Sequence, residues 1–199
     1  MKRALAISVP IAIALAAIAT LFIRTAPPAR PPPPGAATYD DFTIQTSSGA
    51  LSLSDLRGQV VVLYFGYTSC PDICPTTMAA LNAAFRRLPE DVRDAAIVLM
   101  VSVDPQRDDV ERLAEYVGFF NPKFWAGTAD PDTLAAIAKD WGVAYRYRED
   151  EGSSLDYLVD HSTSSLLVGA DGELIRALPH GMHPQKIADA IHSAVGRAR

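Results

Sequence analysis

Cysteine is scarce in this chain: two in 199 residues, Cys70 and Cys74. A disulfide-stapled scaffold is thereby excluded. It is also unnecessary, because a domain of about 160 residues buries roughly two thirds of its unfolded surface. Runs of Lys and Arg are lacking, as is any interleaving of basic with aromatic residues. With a net charge of −5, this argues against nucleic-acid binding. There is no internal repeat. Long apolar runs without charge are confined to Ala4–Ile23, and no cysteine follows that block to carry a lipid, which excludes a lipoprotein. What remains is ordinary globular composition, 49% hydrophobic and 21% charged.

Twenty helical residues rise about 30 Å, the thickness of a bilayer core. The block is longer than a typical signal core, which favours an uncleaved transmembrane helix over 4–23; small residues at Ala26 and Ala29 keep a cleaved signal peptide open. Lys2 and Arg3 precede the block, while Arg24 and Arg30 follow it. That slight asymmetry favours an N-terminus inside and the bulk of the chain outside the cytosol, where disulfides persist. Pro27, Pro28 and Pro31, Pro32, Pro33 and Pro34 make an extended, stiff tether. The expected organisation is an anchor in 1–23, a proline-rich linker in 24–38 and one domain in 39–199.

From Tyr39 onward strands and helices alternate. Phe42–Thr46 and Leu51–Leu53 suggest a hairpin around Ser48 and Gly49, and Val60–Phe65 and Ile97–Val103 read as buried strands. Helices are expected over Pro75 to about Leu88, Asp108–Phe120, Pro131–Asp140 and Pro184 to about Val195. Val143–Tyr147 reads as a strand, and Ser165–Val168 with Leu174–Leu178 as a hairpin about Asp171-Gly172. This order is that of an α/β, thioredoxin-like fold with a central mixed sheet. Ligands of such sheets gather at the carboxyl ends of the parallel strands. Cys70, Cys74 and Asp104 all fall there.

Both cysteines lie in Cys70-Pro71-Asp72-Ile73-Cys74-Pro75, at a strand-to-helix junction. Pro75 is expected to start the helix, with Cys74 near its N-cap. Unpaired amides and the helix dipole lower a thiol pKa there, and the thiolate is both nucleophile and metal ligand. The pair therefore serves redox exchange, metal binding or both. A metal needs a third ligand. His192 lies in the last helix, and His180 and His183 lie in a loop before it; all three read as solvated. His161 lies in the loop before the Ser165 strand, which faces the thiol loop in a thioredoxin-like sheet, and reads equally as ligand or as hydrogen-bonded loop residue. Two thiolates and an imidazole make a soft, low-coordinate set that suits copper(I). Structural zinc wants four protein ligands, which only Asp160 or Asp104 could complete. Those two carboxylates read better as groups behind the ligands.

The segments Gly66–Pro75, Val101-Ser102-Val103-Asp104-Pro105, Asp160-His161-Ser162-Thr163, Leu113–Tyr116 through Asn121–Phe124, and Pro179-His180-Gly181 resemble the Sco/SenC family of copper-binding proteins. The resemblance covers residues 40–195. It implies a thioredoxin-like domain facing the periplasm or the mitochondrial intermembrane space; for this chain that means a single-pass inner-membrane protein with a periplasmic domain. It implies copper, as Cu(I) or Cu(II), held by Cys70, Cys74 and His161. It implies assembly of the binuclear copper centre of cytochrome c oxidase subunit II, by copper delivery or by reducing that site's cysteines. Partners would be subunit II and a further copper chaperone or thioredoxin-like reductase. Met182 and His183, less expected from the family pattern, are candidates for an auxiliary copper contact.

In the oxidoreductase alternative, Cys70 attacks and Cys74 resolves. A peroxiredoxin-like peroxidase shares the fold but wants Pro-x-x-x-Thr-x-x-Cys; here Thr68 is two residues before Cys70, and Phe65–Ser69 contains no proline.

Overall fold

The computed structural model describes residues 39–149 and 157–198. The anchor expected over 4–23 and the linker over 24–38 lie outside the described residues. Among those described, no helix is long and apolar enough to cross a membrane.

The elements run β1 (Thr43–Thr46), β2 (Gly49–Ser52), a 3-10 turn (Leu53–Leu56), β3 (Val60–Gly66), α1 (Ile73–Phe85), α2 (Glu90–Asp94), β4 (Ala96–Ser102), α3 (Val110–Phe120), β5 (Trp125–Thr128), α4 (Pro131–Asp140), β6 (Tyr145–Glu149), β7 (Tyr157–His161), β8 (Ser165–Val168), β9 (Leu174–Leu178) and α5 (Pro184–Ala198). Seven strands form one mixed sheet in the order β2-β1-β5-β4-β3-β8-β9, and β6 with β7 forms a separate antiparallel ribbon.

Strands β3 and β4 pair in parallel along their whole length, from Val60 with Ala96 to Gly66 with Ser102. Each is buried at every residue. A strand without an exposed face must be covered on both sides, which is why these two read as unbroken apolar runs. Helix α1 packs against α5, and α3 against β5 and β1. Strand β8 runs antiparallel to β3, with Val61 opposite Val168 and Leu63 opposite Leu166. That register brings the start of β8 beside the end of β3.

Several elements differ from those expected from the sequence. Helix α1 begins at Ile73, not Pro75. Asp72 is its N-cap, Cys74 lies inside the first turn and Pro75 is the third helical residue. None of the first amides of a helix has an intrahelical partner, so proline is tolerated there as well as at the first position. Val143–Tyr147 is displaced to β6, Tyr145–Glu149. The segment read as a loop around His161 is strand β7. Strand β5, between β1 and β4, was not foreseen.

The loop after β4 is fixed by a wholly buried carboxylate. Asp108 accepts from the Thr68 amide at 3.0 Å, the Thr68 hydroxyl at 2.5 Å and the Ser102 hydroxyl at 2.6 Å. Arg112 donates to the same Thr68 hydroxyl at 2.7 Å. The thiol loop is thus tied to the end of β4 two residues before Cys70. Asp108→Ala strands these donors, and the expected loss is about 3 kcal/mol of unfolding free energy, as for charge-assisted bonds cut in a buried site. Urea denaturation checks it; an unchanged midpoint would remove Asp108 from this role.

Candidate metal centre

Strand β3 ends at Gly66, and the chain turns through Tyr67–Cys70 into α1. Cys74 is fully buried; Cys70 is partly exposed. Both are free thiols. The Cys74 amide, one of the unpaired first amides of α1, donates to the Cys70 sulfur at 3.5 Å. The Cys70 sulfur thus serves as an acceptor for the helix end.

Strand β7 delivers His161 from 87 positions further on, with Nε2 3.4 Å from the Cys74 sulfur. Its Nδ1 lies 2.9 Å from the carbonyl oxygen of Ser162. A carbonyl only accepts, so Nδ1 carries the proton and Nε2 presents its lone pair to the thiols. The Tyr64 and Tyr67 rings meet the imidazole edge-to-face, with centroids 6.2 and 5.7 Å away. One ligand atom from each of Cys70, Cys74 and His161 lies within 4.8 Å of the other two.

The neighbouring Cys74 thiol, with the Asp72 and Cys74 amides, holds the Cys70 thiol well below its ordinary range. The same contact, with burial, pushes Cys74 up. The half-exposed Cys70 sulfur is thus the more readily ionised of the two. Burial also pushes the Tyr64 phenol up. Its hydroxyl has no hydrogen-bond partner of ordinary geometry among the described residues and faces Cys74 and Thr77.

The donor set fits a soft ion: two sulfurs and one imidazole nitrogen, converging in a largely apolar setting. No carboxylate joins them among the described residues, so the four-ligand arrangement wanted by structural zinc is lacking. Asp160 is instead exposed and engaged by Arg146 at 3.0 Å and Arg148 at 3.5 Å across the ribbon. Asp104 is wholly buried and accepts from Arg107 and Tyr157. His180, His183 and His192 are exposed as expected. His180 meets the Thr77 hydroxyl at 3.0 Å, and His183 accepts from the Gln185 amide at 3.2 Å. Met182 is half-buried against the core. None of these joins the trio.

Residues 31–196 match the family model for SCO1/SenC. The chain belongs to that family. "Protein SCO1 homolog 1, mitochondrial" of Arabidopsis thaliana is 33% identical over 145 residues, 73% of this chain and 43% of the relative. This chain thus spans under half of that relative's length. Copper-bound ScoI of Arabidopsis thaliana superposes with a TM-score of 0.72 at 28% identity, covering 79% of this chain and 98% of the other. Apo Sco1 of Thermus thermophilus superposes with a TM-score of 0.64 at 35% identity, covering 79% and 88%. The thioredoxin-like α/β fold with a central mixed sheet is that of these SCO1/SenC structures.

Sequence reasoning missed Thr68, Asp108 and Arg112, which brace the thiol loop, and Tyr64 and Tyr67, which flank the imidazole. Tyr64 lies near the end of β3 and Tyr67 directly after it, on the run that leads to Cys70, so their proximity to Cys70 was readable. Asp108 and Arg112 make their contacts across the sheet edge, which no local pattern reveals.

Gly66 has a steric role. A Cβ there would lie 2.8 Å from Tyr64 Cε1 and 3.0 Å from the Cys74 sulfur. Gly66→Ala is expected to cost about 1–3 kcal/mol through overpacking and to displace the buried sulfur. Thermal unfolding and thiol-reactivity measurements check it; wild-type stability with wild-type Cys74 protection would refute the close fit.

Proposed function

We propose that this SCO1/SenC protein is a copper carrier that loads the binuclear copper centre of cytochrome c oxidase subunit II. The observation that carries the reading is the convergence of Cys70, Cys74 and His161 within 4.8 Å. Copper here is cargo, held by two thiolates and the lone pair of His161 Nε2. The exposure gradient supports handover: Cys74 is sealed in the core while Cys70 and His161 reach the surface. An incoming thiolate can replace Cys70 first, and the buried Cys74 releases last. We further propose that residues 4–23 hold the protein in the inner membrane with the domain in the periplasm.

A second reading is favoured by the partly exposed Cys70 sulfur, which accepts from the Cys74 amide at 3.5 Å and is the more readily ionised of the pair. Cys70 attacks one sulfur of a partner disulfide, and the partner's other sulfur leaves as a thiolate. The leaving thiolate takes up the Cys74 proton, and Cys74 attacks the Cys70 sulfur of the mixed disulfide, releasing the partner's second thiolate. The partner gains two electrons, and this chain leaves with a Cys70–Cys74 disulfide. A thioredoxin-like dithiol reductase must restore it. The target would be the oxidised cysteines of the same subunit II site.

The reduced chain is expected to take up one Cu(I) in competition with a chromophoric chelator. His161→Ala is expected to weaken that binding at least about tenfold, the low end of what even an outer partner of a metal ligand is worth. The loaded chain, mixed with the apo copper domain of subunit II, should pass its ion on. Retention of copper against that domain would overturn delivery. Disulfide reduction by the metal-free dithiol would then support the second reading. Unchanged affinity in the His161 variant would remove the imidazole from the site.

A further inference from the structure

Beside the ligand trio lies a cluster that the copper reading does not use. Asp104, wholly buried, accepts from Arg107 Nε at 2.6 Å and from the Tyr157 hydroxyl at 2.7 Å. Arg107 Nη1 donates to the Tyr157 carbonyl at 2.9 Å. The guanidinium lies 3.7 Å from the Tyr157 ring centroid and 5.6 Å from that of Tyr67. Arg107 thus holds Tyr157 at its ring face and at its carbonyl, and Asp104 holds the hydroxyl.

Tyr157 is the first residue of β7, and His161 is the last. Among the described residues, no strand pairing joins the β6–β7 ribbon to the seven-stranded sheet. The ribbon is seated instead by this cluster, by the Tyr147 hydroxyl donating to the Val103 carbonyl at 2.9 Å, and by the Val159 amide donating to the Tyr67 hydroxyl at 3.2 Å. The imidazole therefore sits over Cys74 only while the ribbon is docked. If the docked state is a fraction of the whole, the apparent affinity falls by that fraction.

We propose that Arg107, with Tyr157 and Asp104, is a positioning group that docks the ribbon and so sets how tightly the site holds its ion. A guanidinium has no lone pair to offer a cation, so Arg107 acts through the strand. Its planar fork spans a carboxylate and a carbonyl while stacking on a ring, which an ammonium group does not reproduce. The inference rests on the Cys-Cys-His reading given above.

The test compares Arg107→Met, Tyr157→Phe and His161→Ala in the full chain, with Cu(I) affinity read against a chromophoric chelator. Arg107→Met is expected to lower affinity about 10- to 100-fold, as outer partners of ligands do, and X-ray absorption should show both sulfurs kept. Tyr157→Phe should give a smaller loss. Arg107→Met added to His161→Ala should cost nothing further. In the metal-free chain, amide exchange at Val159 should quicken in Arg107→Met. Wild-type affinity in Arg107→Met, or a loss kept in full on the His161→Ala background, overturns the proposal. If Arg107→Met does not fold, Tyr157→Phe, which deletes one oxygen, decides by the same readings. Should His161→Ala itself bind as wild type, the Cys-Cys-His reading fails, and unchanged Val159 exchange then sinks the docking role as well.

Discussion

The antiparallel register of β8 on β3 is the constraint from which the site follows. Strand β3 carries the chain up to Gly66 and into the thiol loop; β8 runs down beside it, with Leu166 opposite Leu63. Whatever precedes Ser165 must therefore arrive near whatever follows Gly66. A slip of one residue would turn every β8 side chain to the other face of the sheet, and Leu167, fully buried now, would lose its place in the core. The apolar pattern of two strands thus determines that an imidazole 87 positions away meets the Cys74 sulfur.

That register brings the two halves together without fixing either at bonding precision. The short loop after β4 supplies both pins. Asp108 ties the thiol loop through Thr68, and Asp104 ties the histidine ribbon through Arg107 and Tyr157. The two are themselves linked, since the Asp108 amide donates to the Asp104 carbonyl at 3.0 Å. Buried carboxylates are costly unless every oxygen is engaged. Here the engagement is divided between the two sides of one site, so one rigid loop references thiols and imidazole to a common frame. The exposed Asp160, paired with two arginines at the surface, adds little to that frame.

Much of this was legible in the residues. Unbroken apolar runs marked β3 and β4, and the Asp130-Pro131 start marked α4 to the residue. The thiol pair stood out because it is the whole cysteine complement. Strand β5 was hidden by its own packing: a Cβ at Gly127 would lie 2.5 Å from the Gln45 carbonyl oxygen, so the position demands the residue that weakens a strand signal. Helix α2 is too short for periodicity to register. Strand β6 was expected two residues early, over Val143–Tyr147, and β7 was not expected, because both strands are largely polar with only Val159 buried. The third ligand was readable as a candidate, yet its carrier was not, since a strand that pairs only with its neighbour leaves no buried face to read.

The asymmetry of the two thiols is what would let one site serve both proposed chemistries. Were both sulfurs equally exposed, two thiolates close together would repel and neither would persist as a resting nucleophile. Burial of Cys74 inside the first turn of α1 pushes its thiol up, while the helix-end amides and the neighbouring thiol pull Cys70 down. In the proposed roles, a soft cation entering from the Cys70 side would be bound by both sulfurs as thiolates with loss of their protons, and a disulfide entering from the same side would meet the more readily ionised sulfur first. The direction of approach and the first sulfur engaged are the same. What separates the outcomes is His161, whose lone pair stabilises a metal on the dithiol and contributes nothing to a disulfide between Cys70 and Cys74. On the proposed reading, the docking of one short ribbon would bias a single dithiol between carrying an ion and exchanging electrons.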